Sequence, residues 1–403
     1  MKSIVYVHYQ KSERDGSYVH TRMFTKEMGL LCDAKNINFT VIEPALVDED
    51  GVSEVTQIQK IKTFFARFYL SDLKALVKQI RQMLVERKKL KAVNADMVVT
   101  RYNWNTLSII WAARSIGIPV VLELNSPDEE DRGIKFYRLP GMTYFFSTER
   151  AIHLSDGAFA VSEALAKDFR ENFNGSSRLI HGIHNGVSLD KFNPQLDASE
   201  LRADFGIAKD AVVIGFVGSF APWHGLDLLF EAFAKLVGDG APVHLLMVGQ
   251  PRKDSGEWLD RAAMPDIAGN ITFAGHVGSG DVNRYIAAMD ITVLANSAWY
   301  CSPLKIFEYM AMGKATVAVA TDPVQEVIVD RRDGLLFEQG SSSALYKSLK
   351  ELVSDSDMRL KLGNAGRQRV ASEFSWQDNA SRVFDLLEVI ERTRLTGQEN
   401  SNG

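Results

Sequence analysis

The chain has 403 residues, 46% of them hydrophobic, and a formal net charge of −5. That apolar content supports two domains with separate cores, and the acidic balance excludes a protein that coats nucleic acid. Two cysteines, Cys32 and Cys301, provide neither a disulfide framework nor a metal-ligand spacing, as expected in a reducing compartment.

The N-terminus, Met1-Lys-Ser-Ile-Val-Tyr-Val7, reads as a strand start without the apolar region of a signal peptide. No apolar run approaches the ~20 residues that span a bilayer. These features predict a cytoplasmic protein. Ile4–Val7 is the first strand, residues 10–17 a loop carrying Gly16 and Ser17, and residues 18–30 an amphipathic helix. Strand, glycine loop and helix open a doubly wound α/β unit, although no G-x-G-x-x-G is present. Phe39–Glu43 is the second strand. Asp48-Glu-Asp50 has D-x-D spacing but follows Val47 in what reads as a surface turn, so no metal site is expected.

Residues 60–92 form a long helical stretch with ten Lys and Arg and the aromatics Phe64, Phe65, Phe68 and Tyr69. It is either a solvated face or a basic amphipathic helix docking weakly on the inner face of an anionic membrane. Asp96–Arg101 and Pro119–Asn125 are further strands. Arg101, Glu123 and Asn125 stand at their carboxyl ends, where open α/β sheets bind ligands. A hydrogen-bonded core carboxylate is the plainer alternative for Glu123. The acidic run Asp128–Asp131 reads as a solvated loop. Strands at 156–161 and 179–183 complete a first domain, residues 1–190. Asn185-Gly186 signals a tight turn, and residues 194–208 read as a linker.

Val212–Ser219 restarts the pattern with an apolar strand and a glycine turn, and the helix from Leu226 buries Leu226, Leu229, Phe230 and Phe233. Strands follow at 243–249, 271–275, 291–294, 315–320 and 334–337, with Asp281 as an expected helix N-cap. In Asn296–Gly313, Ser302 is the expected N-cap, Pro303 the first helical residue and Gly313 the C′ residue. Lys305 then lies in the first turn, where the helix dipole disfavours a cation, and Glu308 lies one turn on. Either the two form an i, i+3 ion pair, or the cation and the free N–H groups hold a phosphate while the carboxylate accepts bonds from sugar hydroxyls. The last helix begins near Trp376.

Phe216–Asp227, Phe273–Val277, Ser302–Ala311 and Asp333–Phe337, with Val161–Glu163 and His184–Val187, together resemble glycosyltransferase family 4. The resemblance implies two Rossmann-like doubly wound α/β domains facing a cleft (the GT-B fold). The first, residues 1–190, would bind the acceptor. The second, 191–375, would bind the nucleotide sugar, and residues 376–403 would form a helix returning to the first domain. It implies a retaining transferase with a nucleotide-sugar co-substrate, no cofactor and no metal. By the same resemblance, Glu308 binds the nucleotide ribose, and Tyr300 stands where the family has a sugar-binding glutamate. The family's phosphate-binding arginine and lysine fall at Ser219 and His224, with Lys305 supplying the lost charge and His224, when protonated, helping to stabilise the leaving diphosphate. Asn125 occupies the position of a first-domain histidine near the reacting sugar, Gly16 and Ser17 the loop approaching the donor phosphates, and His276 and Val277 the base-reading backbone. Gly218, Cys301, Ser302, Pro303 and Leu304 complete the expected donor site, and Arg101, Glu123 and Asn125 the acceptor site. Acceptors could be lipid-linked saccharides, polysaccharides or small molecules. An inactive nucleotide-sugar-binding relative, or a partner subunit, is the alternative reading. A sugar phosphorylase or epimerase on the same plan is the other.

Overall fold

The structure is a computed structural model. It describes residues 1–9, 16–43, 59–103, 107–127, 147–172, 179–251 and 261–401, without the side chains of 16–17, 59–71 and 397–401. Asp48–Asp50 and the acidic run Asp128–Asp131 lie outside the described residues. The chain divides into two compact units, Met1–Ile183 with Ala380–Gly403, and His184–Asn379.

The first unit is built on six parallel strands: β1 (Ser3–Val7), β2 (Asn38–Ile42), β3 (Met97–Arg101), β4 (Val120–Leu124), β5 (Gly157–Ala160) and β6 (Leu179–Gly182). Their order is β2-β1-β3-β4-β5-β6. The inner strands β1, β4 and β5 are buried at every position. That is why they read as continuous runs of Val, Ile, Leu and Ala rather than as alternating patterns. The second unit repeats the plan with β7 (Val212–Val217), β8 (Val243–Val248), β9 (Ile271–Gly275), β10 (Ile291–Leu294), β11 (Ala315–Val319) and β12 (Leu335–Phe337), ordered β12-β11-β10-β7-β8-β9.

In both sheets the chain starts in the interior, runs outward, then returns to the other side of its first strand. The order therefore reverses between β1 and β3 in one unit and between β7 and β10 in the other. Crossover connections leave opposite faces there, opening a crevice at the strands' carboxyl ends. That crevice decides which residues can meet a ligand.

The helix Trp376–Ser401 starts in the second unit and ends in the first. Val383, Phe384, Leu387 and Ile390 are buried along it. Lys35 Nζ sits 4.7 Å over the Phe384 ring. A Cβ on Gly157 would come within 2.6 Å of the Ile390 Cδ1 methyl, so the glycine leaves room for the helix side chain against β5.

Several expectations are corrected. Gly16 is the first residue of a helix, Gly16–Ala34, rather than part of a loop. Residues 194–208 lie inside the second unit and carry a short helix, Ser199–Asp204. The crossing between units falls at Ile183/His184 instead. Asn185-Gly186 makes no tight turn. Gly186 packs directly on the backbone of Ser375 and Trp376, where a Cβ would meet atoms at 2.5 Å. Asp281 occupies the N-cap position of Val282–Ala287 without a side-chain bond. The helix of the 296–313 stretch is Leu304–Ala311, with Pro303 as its N-cap and Gly313 left-handed beyond its end.

If the returning helix is part of the first unit's core, Phe384→Ala should destabilise that unit by about 3–5 kcal/mol. Differential scanning calorimetry should show the first unit's transition shifted down and the second unit's unchanged.

Candidate functional site

At the reversal point of the second unit, β7 ends in Val217-Gly218-Ser219 and β8 in Val248-Gly249. Gly218 has φ of 145° and Gly249 φ of 146°, a region that side chains avoid. A Cβ on Gly249 would lie 1.9 Å from the Gly218 carbonyl, and one on Gly218 would lie 2.7 Å from Lys305 Nζ. The two glycines thus let the β7 turn sink against β8 and let the lysine reach the turn.

Lys305 does not pair with Glu308: among the described residues no carboxylate lies within 4.0 Å of its ammonium. Its Nζ donates instead to His224 Nδ1 at 3.4 Å and stands 4.3 Å over the Phe216 ring centroid. Burial pulls its pKa down to about 7, against a smaller upward pull from the Glu308 charge. His224 Nε2 lies 3.5 Å from Ser219 Oγ, so Ser219, His224 and Lys305 form one cluster. Burial, and secondarily the Lys305 charge, lower the His224 pKa to about 3. The imidazole is therefore neutral at physiological pH and accepts from the ammonium, where a protonated ring was expected. Burial raises the Glu308 carboxyl, with Lys191 and Lys305 opposing.

Two helices start at this crevice without a side-chain cap: Leu226–Gly238, entered through left-handed Gly225, and Leu304–Ala311. Uncapped first-turn N–H groups carry partial positive charge. Asn296 Nδ2 donates to the Trp223 carbonyl at 3.1 Å, and Gln339 Nε2 to Asn296 Oδ1 at 3.1 Å. These bonds tie the loops after β7, β10 and β12 together. Behind the second helix, the Val217 N–H donates to Tyr309 Oη at 2.8 Å.

Ser302 is not the N-cap because its hydroxyl is used elsewhere. Its Oγ is 3.1 Å from His184 Nδ1 and accepts from the Asn185 N–H at 3.2 Å, while Asn185 Nδ2 donates to the Ser302 carbonyl at 2.6 Å. His184 Nε2 meets Glu326 Oε2 at 2.5 Å. With Nε2 donating to Glu326 and Nδ1 facing the Ser302 hydroxyl, both ring nitrogens have a partner. This network fixes the strand-to-helix turn that carries Lys305. Sequence reading missed it, although a His and an Asn in succession beside a glycine were visible. Tyr300 is buried edge-on to Trp299, and Cys301 is a half-buried cysteine outside any disulfide. His276 is exposed and Val277 half-buried, just after β9. Trp223 and Trp299 are 56% and 46% exposed on the two crevice loops. Trp299 was not foreseen.

In the first unit the reversal point is lined by His8, after β1, and Arg101, at the end of β3. Glu123 is fully buried. Tyr6 Oη donates to it at 2.7 Å, Arg101 Nη1 at 2.8 Å and Asn125 Nδ2 at 3.1 Å, and His20 Nε2 lies 2.9 Å away. Burial alone would raise its pKa. The His20 and Arg101 charges and the bonds from His20 and Tyr6 outweigh that, holding the carboxyl well below the usual range. Glu123 is thus the core carboxylate, and it orients Arg101 and Asn125 rather than facing a ligand. Strand register explains the grouping: Tyr6 pairs with Val99, and Arg101 with Glu123. Period-two alternation then puts Tyr6, Arg101 and Glu123 on one face. The backbone of Gly16 and Ser17 starts the helix Gly16–Ala34.

Among the described residues, no group of three or more His, Cys, Asp or Glu is arranged to hold a metal ion. No described helix is long and apolar enough to cross a membrane.

Residues 25–191 match a family model described as Glycosyltransferase Family 4, and residues 211–355 one described as Glycosyl transferases group 1. The capsular polysaccharide biosynthesis glycosyltransferase CapM of Staphylococcus aureus is 25% identical over 359 residues, covering 86% of this chain and 87% of that protein. An alpha-maltose-1-phosphate synthase of Mycobacterium tuberculosis is 28% identical over 320 residues, covering 74% of this chain and 80% of that protein. The crystal structure of Anabaena HepE in complex with UDP superposes with a TM-score of 0.72 at 16% identity. It covers 96% of this chain and all of that one.

Because its carboxyl is held low in the folded state, Glu123 contributes stability that is complete above the unfolded value, near 4.5. That stability is lost as pH falls from there toward the folded pKa. Glu123→Gln should therefore be less stable than wild type at neutral pH, and the gap should narrow on acidification below about pH 4. Urea titrations across pH would show it; a constant gap would mean that the charge contributes nothing.

Proposed function

Since the chain belongs to the group 1 glycosyltransferases with a family 4 first unit, we propose that it moves a sugar from a nucleoside diphosphate donor to an acceptor hydroxyl. Transfer proceeds with retention of anomeric configuration and without a metal ion. One observation carries the reading: a half-buried ammonium with no carboxylate partner among the described residues, set between a glycine turn and two uncapped helix starts. That is the complement of a diphosphate. HepE, which shares the fold, has been solved with UDP and with UDP-glucose, which supports a nucleotide sugar as the donor class.

When the sugar–phosphate bond breaks, negative charge grows on the leaving diphosphate. Lys305 and the first-turn N–H groups after Gly225 and Pro303 stabilise it without reorganising, as preorganised donors do. His224 acts as a neutral hydrogen-bonding neighbour that fixes the ammonium; once a dianionic group arrives, its own proton affinity rises. Glu308 receives the ribose hydroxyls. His276 and Val277 meet the base, and Tyr300 to Leu304 line the phosphates and sugar. Arg101 and Asn125, oriented by Glu123, receive the acceptor. With no carboxylate positioned as a nucleophile among the described residues of the site, the acceptor attacks on the face that the diphosphate vacates. A leaving phosphate oxygen takes its proton.

Nucleoside diphosphate release should be followed with a panel of sugar nucleotides and acceptors, and product anomericity read by NMR. Chelation should leave the rate unchanged. Lys305→Ala should lower kcat about 10²–10³-fold, as loss of one oxyanion donor does; a drop below tenfold removes Lys305 from the chemistry. A diphosphate beside Lys305 must raise its pKa above the unliganded value of about 7. Donor affinity should then be level below that pH and fall by up to tenfold per unit above it, until the bound pKa is reached. Lys305→Ala should bind weakly with a flat profile. A flat wild-type profile between about pH 6 and 9 would overturn the assignment.

A further inference from the structure

The basic stretch of the first unit forms one 34-residue helix, Gln59–Ala92. Its described side chains, from Asp72 on, sort sharply. Asp72, Gln82, Glu86 and Leu90 are buried. Glu86 accepts from Tyr9 Oη at 2.6 Å and from Gln82 Nε2 at 3.1 Å, and Gln79 Oε1 accepts the N–H groups of Leu107 and Ser108 at 3.1 and 3.0 Å. This inner face holds the helix to Ser108–Arg114. It also contains both carboxylates of residues 72–92.

The outer face is the reverse of what a solvated helix shows. Leu73, Val77, Ile80 and Leu84 are 51%, 40%, 42% and 53% exposed. Steps of four, three and four residues place them in one stripe about 17 Å long. Val85 is exposed beside it, and Lys74, Arg81, Lys88 and Lys91 are exposed on the same side. All charge on this face is therefore positive, in a chain whose net charge is −5. Polar residues on the stripe would keep a merely solvated helix in place, so the apolar side chains need another explanation.

We propose that this face docks on an anionic lipid bilayer. The Leu73-Val77-Ile80-Leu84 stripe enters the boundary between headgroups and acyl chains, and Lys74, Arg81, Lys88 and Lys91 contact the headgroups. A narrow apolar line flanked only by cations matches an interface that is apolar below and anionic above. A second copy of the same face would oppose cation to cation. The helix lies on the membrane and does not span it, in keeping with its polarity. The inference does not depend on the donor or acceptor proposed above.

Flotation of the full chain with phosphatidylglycerol-containing vesicles, and with pure phosphatidylcholine vesicles, tests it. Binding should require the anionic lipid and weaken as salt shortens the screening length. Replacing Lys74, Arg81, Lys88 and Lys91 together by Gln should lower partitioning on the order of a thousandfold. Leu73→Ser with Ile80→Ser and Leu84→Ser should abolish it. These side chains are exposed, so thermal midpoints should stay within a few degrees of wild type. No flotation at low salt, equal binding to both vesicles, or unchanged binding of folded variants would overturn the proposal. A wild-type dimer dissolved by the serine variant would also overturn it, by making the face a self-interface.

Discussion

An ammonium half out of water with no carboxylate beside it is the constraint around which the second unit is arranged. Desolvating a cation costs several kcal/mol after relaxation, and burial accordingly pulls the Lys305 pKa down to about 7. Folding could have relieved it with the i, i+3 partner the sequence supplies, yet Glu308 forms no bridge. The surroundings hold the lysine away from it: the Phe216 ring beneath, His224 at 3.4 Å, and a turn that only glycine at 218 leaves open. Each neighbour is then constrained in turn. Gly249 must lack a Cβ so that Gly218 can retreat, and the Tyr309 hydroxyl oxygen must accept the Val217 N–H of β7 so that the helix cannot drift.

The same logic explains why the helix bearing Lys305 lacks a capping side chain although a serine precedes it. A capped start would have spent the N–H groups that make the crevice electropositive. Ser302 is drawn backward by His184 and Asn185, and Glu326 anchors the histidine. The polar network sits behind the turn, so the turn is rigid while its open side stays unsatisfied. The first unit follows another rule. There the charge at the reversal point, Glu123, is saturated by four neighbours, and what remains available are the outer donors of Arg101 and Asn125. One crevice presents an unsatisfied cation, the other a cation already leaning on a carboxylate.

The sheets were legible in the sequence because parallel strands buried on both faces leave unbroken apolar runs, and the returning helix because its anchors recur at 3.6-residue spacing. The partners of Glu123 were not, since Tyr6 and His20 lie more than a hundred residues away; strand register brings Tyr6 to its face, and His20 comes from the helix after β1. Ser302 illustrates a different failure. Serine before proline before a helix is a sound local capping signal, but a cap needs the hydroxyl oxygen as acceptor, and here that oxygen is turned back to the Asn185 N–H and His184. Asn185-Gly186 fails similarly: the local turn signal is overridden by close approach to the backbone at 375–376. For His224 the residue was found and its charge misjudged, because protonation depends on burial and on Lys305, neither visible in a string of letters.

The departures at Ser219 and His224 can now be argued physically. A pattern with arginine and lysine at those places would put two permanent cations on the turn after β7. Here the turn carries a hydroxyl and a neutral ring, and the single cation comes from the helix after β10. Moving the charge changes more than its address. An arginine stays charged at any accessible pH, whereas a lysine desolvated to a pKa near 7 is only partly charged until an anion arrives to complete its protonation. On the function proposed above, attraction to a diphosphate would include proton uptake, and release of the product diphosphate would return that proton. A site of this kind grips hardest when the phosphate charge is largest, as it is on the leaving group rather than on the intact donor. That is the direction in which differential binding lowers a barrier.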